Sequence, residues 1–395
     1  MGLGDTGRLR DSYECVIVGA GPAGLAAAAR LLSRAPGPTV LLLDKSEPWL
    51  RTKPCAEAVG RLGLEQCLTV DRRWIRHDIS SVAFHGPGGG QVTYTDAHKG
   101  FIVDRALMQR SMAERCVEAG MDCRTGCAVA GVSAPADGRR TVTLAGGGSV
   151  SAGVVIDAAG ASSPIGKSEG LIWKASDAEP AYYVIAENVA HATDTVHLHV
   201  GAGFAPGGYG WCFPSADDRA NIGVLIGRSR RGRVNIRDLL KGFLQSRFPS
   251  AQVLSYHAGT IPCGYRRGEL ARPGLVKAGD SASTVNPISR AGIVEAMKCG
   301  EIAAGTALAM LGADTERRMA RICREYEASW YRLLGRWHQK LQAVKSAMQD
   351  VPDRDYDSAA EELTRIPQAE ITLGRIFRVA LGRSPRLLWA MRHML

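Results

Sequence analysis

No apolar run in this chain approaches the roughly 18–20 residues that a membrane-spanning helix needs. The first dozen residues are polar and Gly-rich, and no secretory leader is visible in them. Ten cysteines are scattered without a CxxC pair or Cys/His pairing at metal-ligand spacing. The nearest two, Cys123 and Cys127, have no second pair to complete a zinc site. The cysteine pattern suits a reducing cytosol, and no metal is expected. His197 and His199 share one face of a predicted strand, which is read as a solvated face rather than a metal site. Repeats and low-complexity tracts are absent, and no nucleic-acid-binding motif accompanies the basic excess. That excess, 49 basic against 39 acidic residues for a net +10, favours phosphorylated substrates or an anionic lipid surface over nucleic acid. The cluster Arg228-Ser-Arg230-Arg231-Gly-Arg233 reads as a solvated loop.

What is present starts at residue 13. Cys15 to Val18 is an apolar run, read as a buried parallel strand, and it ends in Gly19-x-Gly21-x-x-Gly24. An Ala-rich helical pattern follows, then the apolar run Val40–Leu43 closing on Asp44. Strand, glycine loop, helix, strand and acid in this order form a dinucleotide-binding unit. Gly19 permits the tight turn, Gly21 admits a pyrophosphate to the backbone, and Gly24 lets helix and strand pack closely. Pro22 and Ala23 open the helix whose N-terminus offers free N–H groups to phosphate. Asp44, with Lys45 beside it, stands where an acid meets the ribose hydroxyls.

Further along, Gly86-Pro-Gly-Gly-Gly90 marks a hairpin between strands near 79–85 and 91–95. Residues 105–119 read as an amphipathic helix, and 127–133, 140–145 and 149–156 as a meander. Segments 180–190, 194–200, 209–214 and 219–226 read as antiparallel strands, with helices at 235–248 and 292–311. The expected fold is α/β. A discontinuous nucleotide-binding domain takes 1–60, 100–165 and 268–315. A mainly antiparallel β domain takes 61–99 and 166–267, and a helical region takes 316–395.

A second signal is Gly279-Asp280-Ser-Ala-Ser-Thr-Val-Asn286-Pro287, followed by Gly292 and a helix. With the glycine loop, it resembles the superfamily of flavoprotein aromatic hydroxylases. Lys53-Pro54-Cys55-Ala56-Glu57, Tyr209-Gly-Trp211-Cys-Phe213-Pro214 and Gly259-Thr-Ile-Pro262 narrow the resemblance to the geranylgeranyl reductase family. It spans about residues 13–315 and implies FAD and the saturation of prenyl double bonds in pigments, quinones or lipids. It also implies the site. Gly19, Gly21, Pro22, Ala23 and Gly24 would hold the pyrophosphate, Asp44 the adenosine ribose and Asp280, after Gly279, the ribityl chain. Arg105 would lie near the cofactor phosphates. Pro287, Ala291, Gly292 and Ile293 would sit against the flavin ring, with Lys45 and Lys53 also on the cofactor side. Cys55 matches a cysteine placed beside the flavin. Tyr209, Trp211 and Phe213 match a strand walling the lipid pocket, and their period-two spacing puts all three on one side.

The chain departs from the family at several points. Cys-Gly in the family is Cys55-Ala56 here. The glycine-containing stretch after Pro287 reads Ile288-Ser289-Arg290-Ala291, so Arg290 is a candidate contact to reduced flavin or a substrate anion. No second dinucleotide fingerprint is present, so electrons are expected from an external donor: NADPH, ferredoxin or a flavin reductase. Residues 371–395 carry Arg375, Arg378, Arg383, Arg386 and Arg392 without an acid, interleaved with apolar side chains including Trp389. Such a tail either packs on the protein or lies on an anionic membrane. The expectation is a cytoplasmic reductase of a prenyl lipid or small apolar substrate, with peripheral contact at the inner membrane face through that tail. The rivals are an FAD-dependent monooxygenase or halogenase, a reductase of a small biosynthetic intermediate, and a flavin-carrying binding protein.

Overall fold

The computed structural model describes residues 8–47, 49, 54–172, 177–190, 193–215, 218–265, 267–349 and 351–383. It resolves into two compact units, one of residues 1–53, 105–176 and 262–339, the other of 54–104, 177–261 and 340–395.

The first unit is built on five parallel strands, in spatial order Asp122–Arg124, Val40–Leu43, Ser12–Val18, Ser149–Asp157 and Leu275–Lys277. Strand Val40–Leu43 is buried throughout, as a parallel strand covered on both faces requires. Strands Val129–Val132 and Arg140–Leu144 extend the sheet as the expected meander. Helices Pro22–Leu32 and Ile293–Leu311 cross in near backbone contact. A Cβ on Gly300 would come within 2.1 Å of the Ala23 carbonyl oxygen, so only glycine fits there. At the strand ends, Lys277 Nζ pairs with Asp157 Oδ2 with both side chains fully buried. Ser163 Oγ also donates to Asp157 at 2.9 Å, and Lys277 donates to the Ile165 carbonyl at 3.0 Å.

The second unit is a single eight-stranded sheet. Its order is Gln252–Pro262, Ala178–Glu187, Ala220–Leu225, Tyr209–Pro214, Thr195–His199, Ile75–His85, Gln91–Val103 and Ala58–Gly60. Ala178–Glu187, Ala220–Leu225, Tyr209–Pro214 and Thr195–His199 pair antiparallel in turn, as do Ile75–His85, Gln91–Val103 and Ala58–Gly60, whereas Thr195–His199 pairs parallel with Ile75–His85. One face carries Trp211, Phe213 and Tyr183, and the other packs on helix Ile236–Arg247 through Leu240 and Phe243. Strand Gln252–Pro262 is not evident from the sequence. Leu254 and Tyr256 lie on its exposed side, so its hydrophobicity does not report burial.

The helical tail is not a domain of its own. Residues 316–339 belong to the first unit and 340–395 to the second. Ile371 and Ile376 are buried with Val92, Ala360 and Leu363, so helix Leu373–Gly382 uses its apolar side on the hairpin of its own unit. Arg375 pairs with Glu370 at 2.6 Å, and Arg383 pairs with Glu362. Through residue 383 the tail therefore follows the alternative of packing on the protein; residues 384–395 lie outside the described residues.

The histidines at 197 and 199 form no solvated face either. His199 is buried, stacks on His85 with centroids 4.1 Å apart, and meets Phe243 edge-on. His85 and His197 share a hydrogen bond of 2.9 Å. Among the described residues no group of three His, Cys, Asp or Glu side chains is arranged to hold a metal. Burial, reinforced by His197 and Arg247, pushes His85 down to about 4, and burial with His85 pushes His199 down to about 2. Both are therefore neutral in the fold and take up protons near pH 6.5 only when unfolded. Stability is complete above that value and falls as pH drops toward 4, by about 1.4 kcal/mol per pH unit for each histidine. Denaturant midpoints measured across this window should drop in the wild type and drop about half as steeply in His85→Asn, where only His199 remains to take up a proton. A midpoint independent of pH would remove the argument.

Candidate functional site

In the first unit the glycine loop is built by backbone contacts that no side chain tolerates. Gly19 has φ +108°, and a Cβ there would stand 2.3 Å from the Ala158 carbonyl oxygen. A Cβ on Gly24 would stand 2.0 Å from the Gly19 carbonyl oxygen. Gly21 differs: a Cβ there meets nothing within 4 Å, so it borders open space. Gly21 is also the N-cap of the helix opened by Pro22, and no side chain caps that end. The open space thus faces the positive end of a helix with its first turn uncovered.

Asp44 is buried beside this turn. Its Oδ2 accepts the Ala20 N–H at 2.8 Å, and its Oδ1 accepts the Ser46 N–H and hydroxyl, each at 2.9 Å. Lys45 next to it is exposed. Arg105 joins the same cluster through a residue that the sequence reading passed over. Arg105 Nε donates to Gln109 Oε1 at 2.9 Å, and Gln109 Nε2 donates to the Ala20 carbonyl at 3.3 Å. Gln109 is buried on a helix that otherwise reads as amphipathic, and a polar side chain on the buried stripe was the available signal.

Gly279 closes the cradle from the other side. Its φ is +67°, and a Cβ would stand 2.7 Å from Ala23 Cβ. Asp280 sits in the short turn Gly279–Ala282, partly exposed. Ser283 Oγ and Thr284 Oγ1 follow, both buried, and neither finds a partner in the protein. Such groups require an acceptor or donor from elsewhere. Pro287 is buried, and Asn286 Oδ1 collects the N–H groups of Ile288 and Ser289 at 2.9 and 3.1 Å. Arg290 has φ +58°, a left-handed conformation natural to glycine, and its side chain folds back to the Ile288 carbonyl. Ala291 is exposed, and Gly292 is the uncapped N-cap of helix Ile293–Leu311. In that helix's first turn, burial raises the carboxyl of Glu295 above the ordinary range. A glycine-lined space, two uncapped helix ends and two orphaned hydroxyls suit a dinucleotide diphosphate with a polyol chain. The residues present therefore fit FAD.

In the second unit Cys55 is held by three hydrogen bonds. Its N–H reaches Tyr183 Oη at 3.3 Å, and its Sγ accepts the Glu57 N–H at 3.3 Å. Its carbonyl accepts Asn221 Nδ2 at 3.0 Å, while Asn221 Oδ1 accepts Trp211 Nε1 at 2.9 Å. Glu57 has φ +63°, so the loop carries a strained residue beside the cysteine. Trp211 and Phe213 are buried in one apolar cluster against which Tyr209, Ala56 and Ala58 pack. Gly223 makes room for the indole, because a Cβ there would stand 2.3 Å from Trp211 Cζ2. Asn221 and Gly223, on the strand beside Trp211, were missed because nothing in their own segment distinguishes them. Lys53 lies outside the described residues.

Comparison with known proteins finds geranylgeranyl reductases similar to this chain along its length. A family model described as lycopene cyclase protein matches residues 14–177, and one described as geranylgeranyl reductase catalytic domain matches 177–261. The digeranylgeranylglycerophospholipid reductase of Methanosarcina acetivorans is 28% identical, covering 97% of this chain and 96% of its own. Reductase 2 of the same name from Methanopyrus kandleri is 26% identical over 97% of this chain and 99% of its own. Among solved structures, a geranylgeranyl bacteriochlorophyll reductase-like protein of Thermoplasma acidophilum superposes with TM-score 0.87 at 20% identity. It covers 98% of this chain and all of its own. A halogenase PltM variant in complex with FAD superposes with TM-score 0.68 at 14% identity, over 94% of this chain and 85% of its own. With the two family models abutting at residue 177 and the curated relatives aligned nearly end to end, this chain is an FAD-dependent oxidoreductase similar along its whole length to the geranylgeranyl reductases.

Proposed function

We propose that the chain saturates isolated carbon–carbon double bonds in the prenyl chains of a geranylgeranyl glycerophospholipid. The end-to-end similarity to the digeranylgeranylglycerophospholipid reductases carries this reading. FAD, once reduced, supplies the hydride that an isolated alkene lacks the polarity to draw from weaker donors.

The chain's own residues then bind, orient and protonate. Gly19, Gly21, Gly24, Asp44, Arg105, Gly279 and Asp280 hold the cofactor, with Ser283 and Thr284 donating hydroxyls to it. The face carrying Tyr209 and Trp211 receives the prenyl chain, since rigid aromatic rings give apolar contact at low entropic cost. Cys55 Sγ, fixed through Tyr183 and Asn221, holds the proton destined for the second alkene carbon. General acid catalysis of this kind contributes about 10²–10⁴-fold. Cys55→Ala should therefore lower prenyl turnover by about 10²-fold or more with FAD content unchanged. A normal rate in that variant would remove the cysteine from the chemistry. Electrons arrive from an external donor, NADPH, ferredoxin or a flavin reductase. Omitting each in turn from a turnover assay identifies it.

A further inference from the structure

In the first unit, helix Glu316–Trp330 runs into a π-helical turn, Tyr331–Gly335, before continuing at Arg336. Such insertions cost hydrogen-bond geometry and cluster at functional positions. Gly335 allows this one to close over an indole, because a Cβ there would stand 2.6 Å from Trp330 Cζ3. Beside the turn is a cavity of about 360 Å³ walled by Arg267, Arg324, Arg332, Glu327, Trp330 and Tyr331. Glu327, the acid on that wall, is engaged with the Leu270 N–H at 3.0 Å. Arg267 lies over the Tyr331 ring at 5.8 Å, and Arg332 donates to Ser329 Oγ at 3.0 Å. Trp330 Nε1 is buried and finds no partner in the protein. Three guanidinium groups thus border one cavity whose carboxylate already has a donor, which is the chemistry of a phosphate site.

The outer surface beside this cavity is amphipathic. Arg332 and Arg336 lie one turn apart, and Leu333 and Trp337 form the adjacent stripe. Leu333 is 38% exposed and Trp337 is 50% exposed, an unusual display for two large apolar side chains. Tryptophan and arginine side by side on a helix are the pair that anchors proteins at the headgroup level of a bilayer. Nearby acids are spent: Glu325 pairs with Arg321 at 3.3 Å, and Glu269 pairs with Arg272.

We infer that the π-turn at 331–335 and its cavity form a docking surface for an anionic phospholipid bilayer. A headgroup phosphate enters among Arg267, Arg324 and Arg332, and Leu333 and Trp337 insert at the interface. The inference does not depend on the prenyl substrate. It differs from the tail expectation, because through residue 383 the tail's apolar side is already packed.

Flotation of the full-length holoprotein tests it, with vesicles of phosphatidylcholine alone and of phosphatidylcholine mixed equally with phosphatidylglycerol. The wild type should float with the mixed vesicles, and added salt should weaken this. Arg332→Glu with Arg336→Glu, and separately Trp337→Ala, should lower partition about tenfold or more with FAD content and circular dichroism unchanged. All three side chains are exposed, so the fold does not depend on them. Equal flotation on neutral vesicles, or partition indifferent to these substitutions, would overturn the assignment. So would loss of binding only on truncation after residue 383. If Trp337→Ala instead converts a dimer to a monomer in sedimentation while vesicle binding persists, the face is a contact between copies and the inference fails.

Discussion

Gly21→Asp should abolish FAD binding while leaving the apoprotein as stable as the wild type or more so. A Cβ at this position meets no protein atom within 4 Å, so the substitution costs nothing sterically. Gly21 is the N-cap of helix Pro22–Leu32 and has no side-chain cap at present. An aspartate there accepts an N–H of the first turn and complements the helix dipole, and good N-caps stabilise by up to about 1 kcal/mol. The same carboxylate occupies and charges the space that the diphosphate needs. Flavin content of the purified protein should fall to background, and titrated FAD should bind at least about 10²-fold more weakly, since charge repulsion adds to steric exclusion. Gly24→Ala serves as the contrast. Its Cβ would collide with the Gly19 carbonyl oxygen at 2.0 Å, so it should lose flavin and stability together. If Gly21→Asp retains FAD at wild-type affinity, the open space is not the diphosphate site.

Asp157→Ala should be among the most destabilising single changes in the chain. It removes the partner of Lys277, whose side chain is fully buried. The ammonium would keep only the Ile165 carbonyl at 3.0 Å. Breaking a buried pair on one side costs about 3–5 kcal/mol, chiefly the uncompensated charge. The damage would reach the cofactor site, because Asp157 ends the strand that leads into Ala158, the residue against which Gly19 packs. Thermal unfolding and flavin retention should both suffer. The double variant Asp157→Ala with Lys277→Met should recover most of the loss, because no buried charge remains without a partner. A single variant as stable as wild type would show that the pair contributes nothing.

The strand, glycine turn, helix and strand at the start of the first unit were legible because their rules are local. The turn at Gly19, the close packing at Gly24 and the strand run leading to Asp44 each follow from backbone sterics and burial pattern within a few residues. Gln109 and the Asp157–Lys277 pair were not legible. Each owes its role to a partner about 90 or 120 positions away, and no window of sequence contains both. The same holds for Asn221, which matters only because strand pairing sets it between Trp211 and the loop at Cys55. Strand Gln252–Pro262 was missed because its large apolar residues point outward. The tail left two readings open for a related reason. Its apolar and basic sides are real, but hairpin Gly86–Gly90 and its flanking strands supply a cover that the helix pattern cannot reveal.

The central claim is that this flavoprotein gives its electrons to a prenyl double bond rather than to oxygen. The direct measurement is reoxidation of dithionite-reduced holoenzyme in a stopped-flow spectrometer, with mass spectrometry of the lipid. One run mixes it anaerobically with a digeranylgeranyl glycerophospholipid, and the other mixes it with oxygen alone. The account predicts rapid anaerobic reoxidation, with lipid products heavier by whole hydrogen pairs. Reoxidation by oxygen only, with the lipid recovered unchanged, would contradict it and assign the chain to the oxygen-using flavoproteins.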